Sequence, residues 1–173
     1  MEVANMIYEF KIVLIDEKPP VWRTVQIPSS YNFNQLHKVI QLSMNWYDIH
    51  MHSFLFKKNT HDLYSWQQIG NKNKNDDLFQ VDFHEKDEVI ADWFKEVDDR
   101  CIYIYDFGDD WRHELILQRK LEPEDGVEYP RCMEGQYTSP GEDSRADWKG
   151  PQEVDEKQLI QEINDHLRVL QKE

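Results

Sequence analysis

The chain has 173 residues and sets 34 Asp and Glu against 20 Lys and Arg, a formal charge of −14, so it lacks the clustered cations that a phosphate backbone demands and is not expected to bind nucleic acid. An aromatic content of 13% argues against disorder, two cysteines make no disulfide framework, and no apolar run approaches a membrane span. Met1 to Phe10 also lacks the basic start and apolar run of a secretory signal, which makes the cytoplasm the expected location.

Tyr8, Phe10, Ile12 and Leu14 alternate with Glu9, Lys11 and Val13, the period of a strand. Pro19-Pro20 forbids helix and turns the chain, and Val21, Val25 and Ile27 resume the alternation up to Pro28, so the two strands are expected to pair antiparallel. Asn32 with Gln35 forms a capping box ahead of a helical stripe of Phe33, Leu36, Val39, Ile40 and Met44, and the helix should end near Asn45-Trp46. His50, His52, Phe54 and Phe56 alternate again and predict a strand over about 51–57, after which the stretch from Gly70 to Asp77 reads as an exposed loop. A short helix is predicted within Val89 to Val97, then a β-hairpin with arms near 101–106 and 111–119. Glu122 to Gly150 holds three of the seven prolines and four of the six glycines and is expected to be irregular. Leu159, Ile160, Ile163, Leu167 and Leu170 define an amphipathic helix of about 156–171. The expected fold is α+β: a single domain over 1–173, with a largely antiparallel sheet and packed helices.

The hairpin carries the densest chemistry. Its turn concentrates Asp106, Asp109 and Asp110 beside Trp111 and His113. If the paired positions have an odd sum, Ile102, Ile104 and Asp106 share a face with His113, Leu115 and Leu117. Asp106 would then accept from the His113 imidazole. Such a pair either orients the ring for metal binding or proton transfer, or simply ties off the hairpin, with Gly108 supplying the positive φ of the turn.

Metal-ligand chemistry is spread more widely, over His50, His52, His113, Asp106, Asp109, Cys132, Glu142 and Asp143. None of these falls in a compact signature such as Cys-x-x-Cys. His50 and His52, two apart on a strand, would share a face and form the nucleus of a site with His113. Cys132 lies beside Arg131, which favours a thiolate, but no nucleophile elbow surrounds it. Trp66 and Trp148 fall in loops and are the tryptophans expected to line a groove.

Three blocks resemble a known family. Pro19-Pro-Val-Trp-Arg23 is followed by Ile27-Pro28. Leu36-His37 and Ile40-Gln41 lead into Met44-Asn-Trp46 and the His50/His52 pair. Tyr103-Ile-Tyr-Asp-Phe-Gly-Asp-Asp-Trp-Arg-His113 continues through Pro130-x-Cys132 to Gly135. Together they resemble the Ri-plasmid ORF-three-like family over roughly residues 8–150, a family with no firmly established activity. The chain departs from the family pattern after Ser139-Pro-Gly-Glu-Asp143, where Ser144-Arg-Ala-Asp147 replaces paired glycines.

No complete catalytic signature is present, so the catalytic residues stay unassigned and no cofactor is expected from a motif. The leading expectation is a binding or interaction module whose acidic surface at Asp106, Asp109, Asp110, Trp111 and His113 engages a partner protein or basic ligand. The alternative is a metal-dependent hydrolase with a divalent ion on His50, His52 and His113, assisted by Asp106 or Asp109. The oligomeric state is left open.

Overall fold

The structure is a computed structural model that describes residues 6–58, 65–72 and 80–171. Eight strands form one sheet: β1 (Ile7–Leu14), β2 (Trp22–Pro28), β3 (His52–Lys57), β4 (Trp66–Gly70), β5 (Phe83–His84), β6 (Arg100–Tyr105), β7 (Trp111–Leu121) and β8 (Arg131–Gln136). Their spatial order is β5-β4-β3-β6-β7-β1-β2-β8. All neighbours pair antiparallel except the short β4–β5 contact. Three helices accompany the sheet: α1 (Phe33–Ser43), α2 (Ile90–Trp93) and α3 (Glu156–Gln171). No helix among the described residues is long and apolar enough to cross a membrane.

The sheet is two-sided in the chemical sense. Across its middle, Leu14, His113, Tyr103, Phe54 and Ile69 pair in one row on β1, β7, β6, β3 and β4, and all are sealed from solvent. α1 begins as its sequence dictates. Asn32 accepts from the Gln35 amide at 2.8 Å, and the Gln35 side chain accepts from the Asn32 amide at 2.9 Å. Its stripe of Phe33, Leu36, Val39 and Ile40 is fully buried, with Phe33 edge-on to Phe54 and Phe56 at 5.0 and 5.7 Å. Each such side chain contributes about 1.5–3 kcal/mol on burial, an upper figure because the unfolded chain is already partly compact. The opposite face of the sheet is polar: Glu9 takes bonds from Gln26 and Arg119, and Arg131 donates to Gln26.

One cation sits on the apolar face. Arg23 is 1% exposed and pairs in register with Ile12 and Gly135. Its guanidinium donates to the carbonyls of Ser43, Trp22, Gln136 and Tyr137 at 2.8–3.1 Å. Gly135 makes the room, since a Cβ there would lie 3.0 Å from Arg23 Cδ and 3.2 Å from the Trp22 carbonyl.

Three expectations are corrected, and two strands are added. The hairpin pairs Tyr103 with His113 and Tyr105 with Trp111, an even sum, so Cys101, Tyr103 and Tyr105 face the core while Ile102 and Ile104 lie on the other side. The cause is the loop. Asp106 leaves the strand with φ 62° and Asp110 re-enters with φ 59°, making five loop residues. The positive φ therefore falls on these two aspartates and not on Gly108, whose part is to let the Asp106 carboxylate approach, 3.3 Å from where a Cβ would stand. The stretch 122–150 is not wholly irregular, because β8 completes the sheet edge beside β2. Between β3 and α2 the sheet gains β4 and β5, in segments for which the sequence predicts no element. Of the loop expected over Gly70 to Asp77, positions 73–77 lie outside the described residues.

Candidate metal centre at the hairpin turn

Three loops meet at the end of β6: the hairpin turn 106–110, the segment 44–51 leading into β3, and the segment 137–150 that follows β8. Asp106 is the turn's keystone. Its amide donates to the Met51 carbonyl at 2.8 Å, and its Oδ1 accepts from the amides of Gly108 and Asp109 at 3.0 and 3.2 Å. That leaves Oδ2 aimed at His50 Nε2, 3.5 Å away. The 137–150 segment is fastened to the 44–51 segment by Trp46 Nε1 donating to Pro140 O, Ser139 Oγ to Met44 O and the Tyr47 amide to Glu142 Oε1, at 2.7–2.9 Å. These bonds bring Glu142 and Asp143 to the same imidazole.

His50 Nε2 thus faces three carboxylates: Asp143 Oδ1 at 2.8 Å, Asp106 Oδ2 at 3.5 Å and Glu142 Oε2 at 3.7 Å. The nitrogen is sealed from solvent, yet it makes no hydrogen bond, because the short approach to Asp143 is misaligned for one. Tyr105 walls the site, its ring 5.8 Å from that of His50 and its hydroxyl donating to Glu142 at 2.9 Å while accepting from the Ile49 amide. Burial, with the Glu142 carboxylate adding to it, raises the phenol's pKa and keeps it protonated. The donor atoms of His50, Asp106 and Asp143 all lie within 4.8 Å of one another, a spacing that one divalent ion can bridge. One imidazole among carboxylates suits Mn²⁺ or Zn²⁺.

The three histidines singled out in the sequence do not converge. His52 donates from Nε2 to the fully buried Glu85 at 2.6 Å and stacks on His37, the rings 3.4 Å apart and 8° from parallel. His113 is fully buried and its Nδ1 donates to the Tyr103 carbonyl at 3.2 Å. Burial lowers its pKa to about 4. No hydrogen bond or ion pair joins Asp106 to His113 among the described residues, so the expected clasp does not form. The even register sets Tyr103 beside His113 in the core, while Asp106 belongs to the turn. Cys132 is buried, its thiol raised to about 12 by that burial, which leaves no thiolate.

A second cluster, His37, Asp48 and His52, also brings its donor atoms within 4.8 Å. Face-to-face stacking rules it out as a chelate, since a metal lying in the plane of one ring would stand well out of the plane of the other. It acts instead as a strut. Burial lowers the His37 pKa to about 4, and the neutral ring accepts from the Tyr103 hydroxyl at 2.7 Å and donates to Asp48 at 2.8 Å, the tautomer that satisfies both partners. Asp48 donates its amide to Gln41, which fixes the segment just ahead of His50.

The remaining turn residues are committed within the chain. Trp111 is 1% exposed, edge-on to Trp148, and covered by the Arg145 guanidinium 3.6 Å from its ring centre. Arg145 donates from Nε to Asp109 O at 2.8 Å and from Nη2 to Asp110 O at 2.9 Å, and its amide donates to Asp109 Oδ2. Asp110 pairs with Arg112 at the surface. Of the two tryptophans expected in loops, Trp66 instead opens β4 and is 39% exposed, while Trp148 packs against the core. Sequence reasoning missed Tyr105 and Arg145 as parts of this site. The first was hidden by the register, the second by the absence of any local pattern.

Comparison with known proteins gives a consistent picture. The chain is 28% identical over 148 residues to the uncharacterized protein y4hQ of Sinorhizobium fredii (strain NBRC 101917 / NGR234), covering 84% of this chain and 70% of that one. A crystal structure of a protein of unknown function, MM3350 from Methanosarcina mazei Go1, is similar with a TM-score of 0.68 and 33% identity, over 81% of this chain and 74% of that one. The family described as Plasmid pRiA4b ORF-3-like protein matches residues 6–156, and with that match over most of its length the chain belongs to this family.

Proposed function

We propose that this protein binds one divalent metal ion through His50 Nε2, Asp106 and Asp143, and that the metal serves hydrolysis. The observation that carries this reading is the sealed, unbonded His50 Nε2 facing three carboxylates. Without a cation, those carboxylates repel one another around a single imidazole; with one, each gains a ligand bond. A bound divalent ion lowers the pKa of its water toward neutrality. Glu142, held by Tyr105 and the Tyr47 amide beside the three ligands, is the group placed to take the proton. Calorimetric titration of the tag-free protein with Mn²⁺ and Zn²⁺ tests the site. We expect one equivalent to bind to the wild type and binding to weaken at least a hundredfold in His50→Ala and Asp143→Asn. No binding by the wild type, or equal binding by the variants, would refute it.

An acidic docking surface at the same turn is the second reading. It is supported by Asp110, whose carboxylate is half exposed, and by Tyr47 and Ile49, which are 71% and 58% exposed on the segment bearing His50. Trp111 drops out of that surface because it is covered. Affinity capture with wild type against an Asp110→Asn/Tyr47→Ala variant tests it, and identical partner lists would remove its support.

A further inference from the structure

We infer that Arg145 is the substrate-recognition residue of this metal centre and that it selects a substrate carrying one carboxylate beside its scissile ester or amide. The inference rests on the metal-hydrolase reading and goes beyond it by naming the substrate class.

The argument begins with how the guanidinium is held. Its flat face lies on Trp111, and its side-on edge, Nε and Nη2, is filled by two successive backbone carbonyls, Asp109 O and Asp110 O. These acceptors are neutral, and among the described residues no carboxylate forms an ion pair with Arg145. The end-on edge, Nη1 with the second proton of Nη2, has no partner there either. Arg145 is therefore a fixed, exposed cation presenting two parallel N–H groups, the fork that a carboxylate matches bidentately. A surface arginine free to wander would pay for its ordering on binding; this one is already ordered by Trp111 and the turn.

Proximity to the metal centre follows from the same bonds. Arg145 Nε is 2.8 Å from Asp109 O, and the Asp109 amide is 3.2 Å from Asp106 Oδ1, so the guanidinium lies within about 10 Å of the Asp106 carboxylate. Asp143, another ligand, precedes it by two residues. A carboxylate and a scissile carbonyl separated by about three methylenes fit within that limit.

Charge chooses between anions. The three carboxylates exceed a divalent ion by one negative charge, and Arg145 balances the excess. A monoanion then adds a single uncompensated charge, whereas a phosphomonoester dianion adds two to a chain already at −14. In the reaction, the oxygen of water bonds to the acyl carbon and the acyl–oxygen bond breaks. One water proton passes through Glu142 to the departing oxygen, leaving a carboxylic acid and an alcohol.

The experiment compares three chromogenic esters on Mn²⁺-loaded protein: the 4-nitrophenyl monoester of glutarate, 4-nitrophenyl valerate and 4-nitrophenyl phosphate. For the wild type we expect kcat/KM for the glutarate ester to exceed that for valerate at least tenfold, with no turnover of the phosphate. Arg145→Lys and Arg145→Gln should bring the glutarate-to-valerate ratio of kcat/KM down to about one, whatever each does to the absolute rates. Taking the ratio within each variant removes any loss of folded protein from the comparison, and a purely structural role would lower both rates together. Mn²⁺ binding with no glutarate preference, with preference for phosphate, with no hydrolysis at all, or with a preference that survives both variants overturns this inference and leaves the metal site standing. Absence of Mn²⁺ binding overturns both.

Discussion

His113 offers a direct test of the core, because a neutral imidazole sealed beneath the sheet must make stability depend on pH. Burial lowers its pKa to about 4, against an ordinary value of 6.5, so between these values the unfolded chain binds a proton that the native protein refuses. Stability from this group is complete above the unfolded pKa and is lost as pH falls toward the folded one. Between pH 7.5 and 5.5 the loss amounts to about 1.3 kcal/mol, and it would reach roughly 3 kcal/mol well below pH 4. The upper window is the useful one, since the sequence pI of about 4.8 brings precipitation near pH 5. The perturbation is His113→Asn, whose amide can keep a donor toward the Tyr103 carbonyl but does not titrate. Urea melts of both proteins at pH 7.5 and 5.5 give the two differences. Asn is smaller and will lower stability at both pH values, but the wild type should lose about 1 kcal/mol more than the variant on acidification. Equal losses would show that His113 is protonated in the native state and that the core admits its charge.

Two further predictions concern the turn and the buried arginine. Asp106 adopts φ 62° and accepts two amides, so Asp106→Asn should change urea stability by less than about 0.5 kcal/mol, because Asn tolerates that conformation and keeps an acceptor. Asp106→Ala should cost about 2 kcal/mol in the same melts, and equal midpoints for the two variants would show that the carboxylate oxygen does not organise the turn. Gly135→Ala should cost about 1–3 kcal/mol by chemical denaturation, since the added methyl meets Arg23 Cδ and the Trp22 carbonyl; an unchanged midpoint would mean that Arg23 can shift without losing its carbonyls.

The strands β1 and β2, helix α1 with its capping box, and helix α3 were legible in the chain because each rests on a local signal: a period of two, a period of 3.6, or a cap three residues from its partner. The edges of the sheet were not. β8 contains Gly135 and mixes buried Cys132 with exposed polar residues, so its strand character comes from pairing with β2 and not from its own composition. β5 is two residues long and exists only because β4 is beside it.

The candidate site divides in the same way. That the hairpin turn is chemically dense was readable from Asp106, Asp109 and Asp110 beside Trp111 and His113. What those residues do depended on the turn's own backbone: two aspartates at positive φ set a five-residue loop, and that one parity exchanged the faces of β6, so that Tyr103 and Tyr105 lie with His113 in the core while Asp106 turns toward His50. Tertiary structure also covered Trp111 with Arg145 and carried Glu142 and Asp143 to an imidazole more than ninety residues earlier in the chain. Sequence by itself determines which residues can bear charge, bind metal or begin a helix, because those are properties of the residue and its near neighbours. It does not determine which of them meet, because that is decided by strand register and by loops pinned through bonds such as Trp46 to Pro140, whose partners carry no mark of each other in the chain.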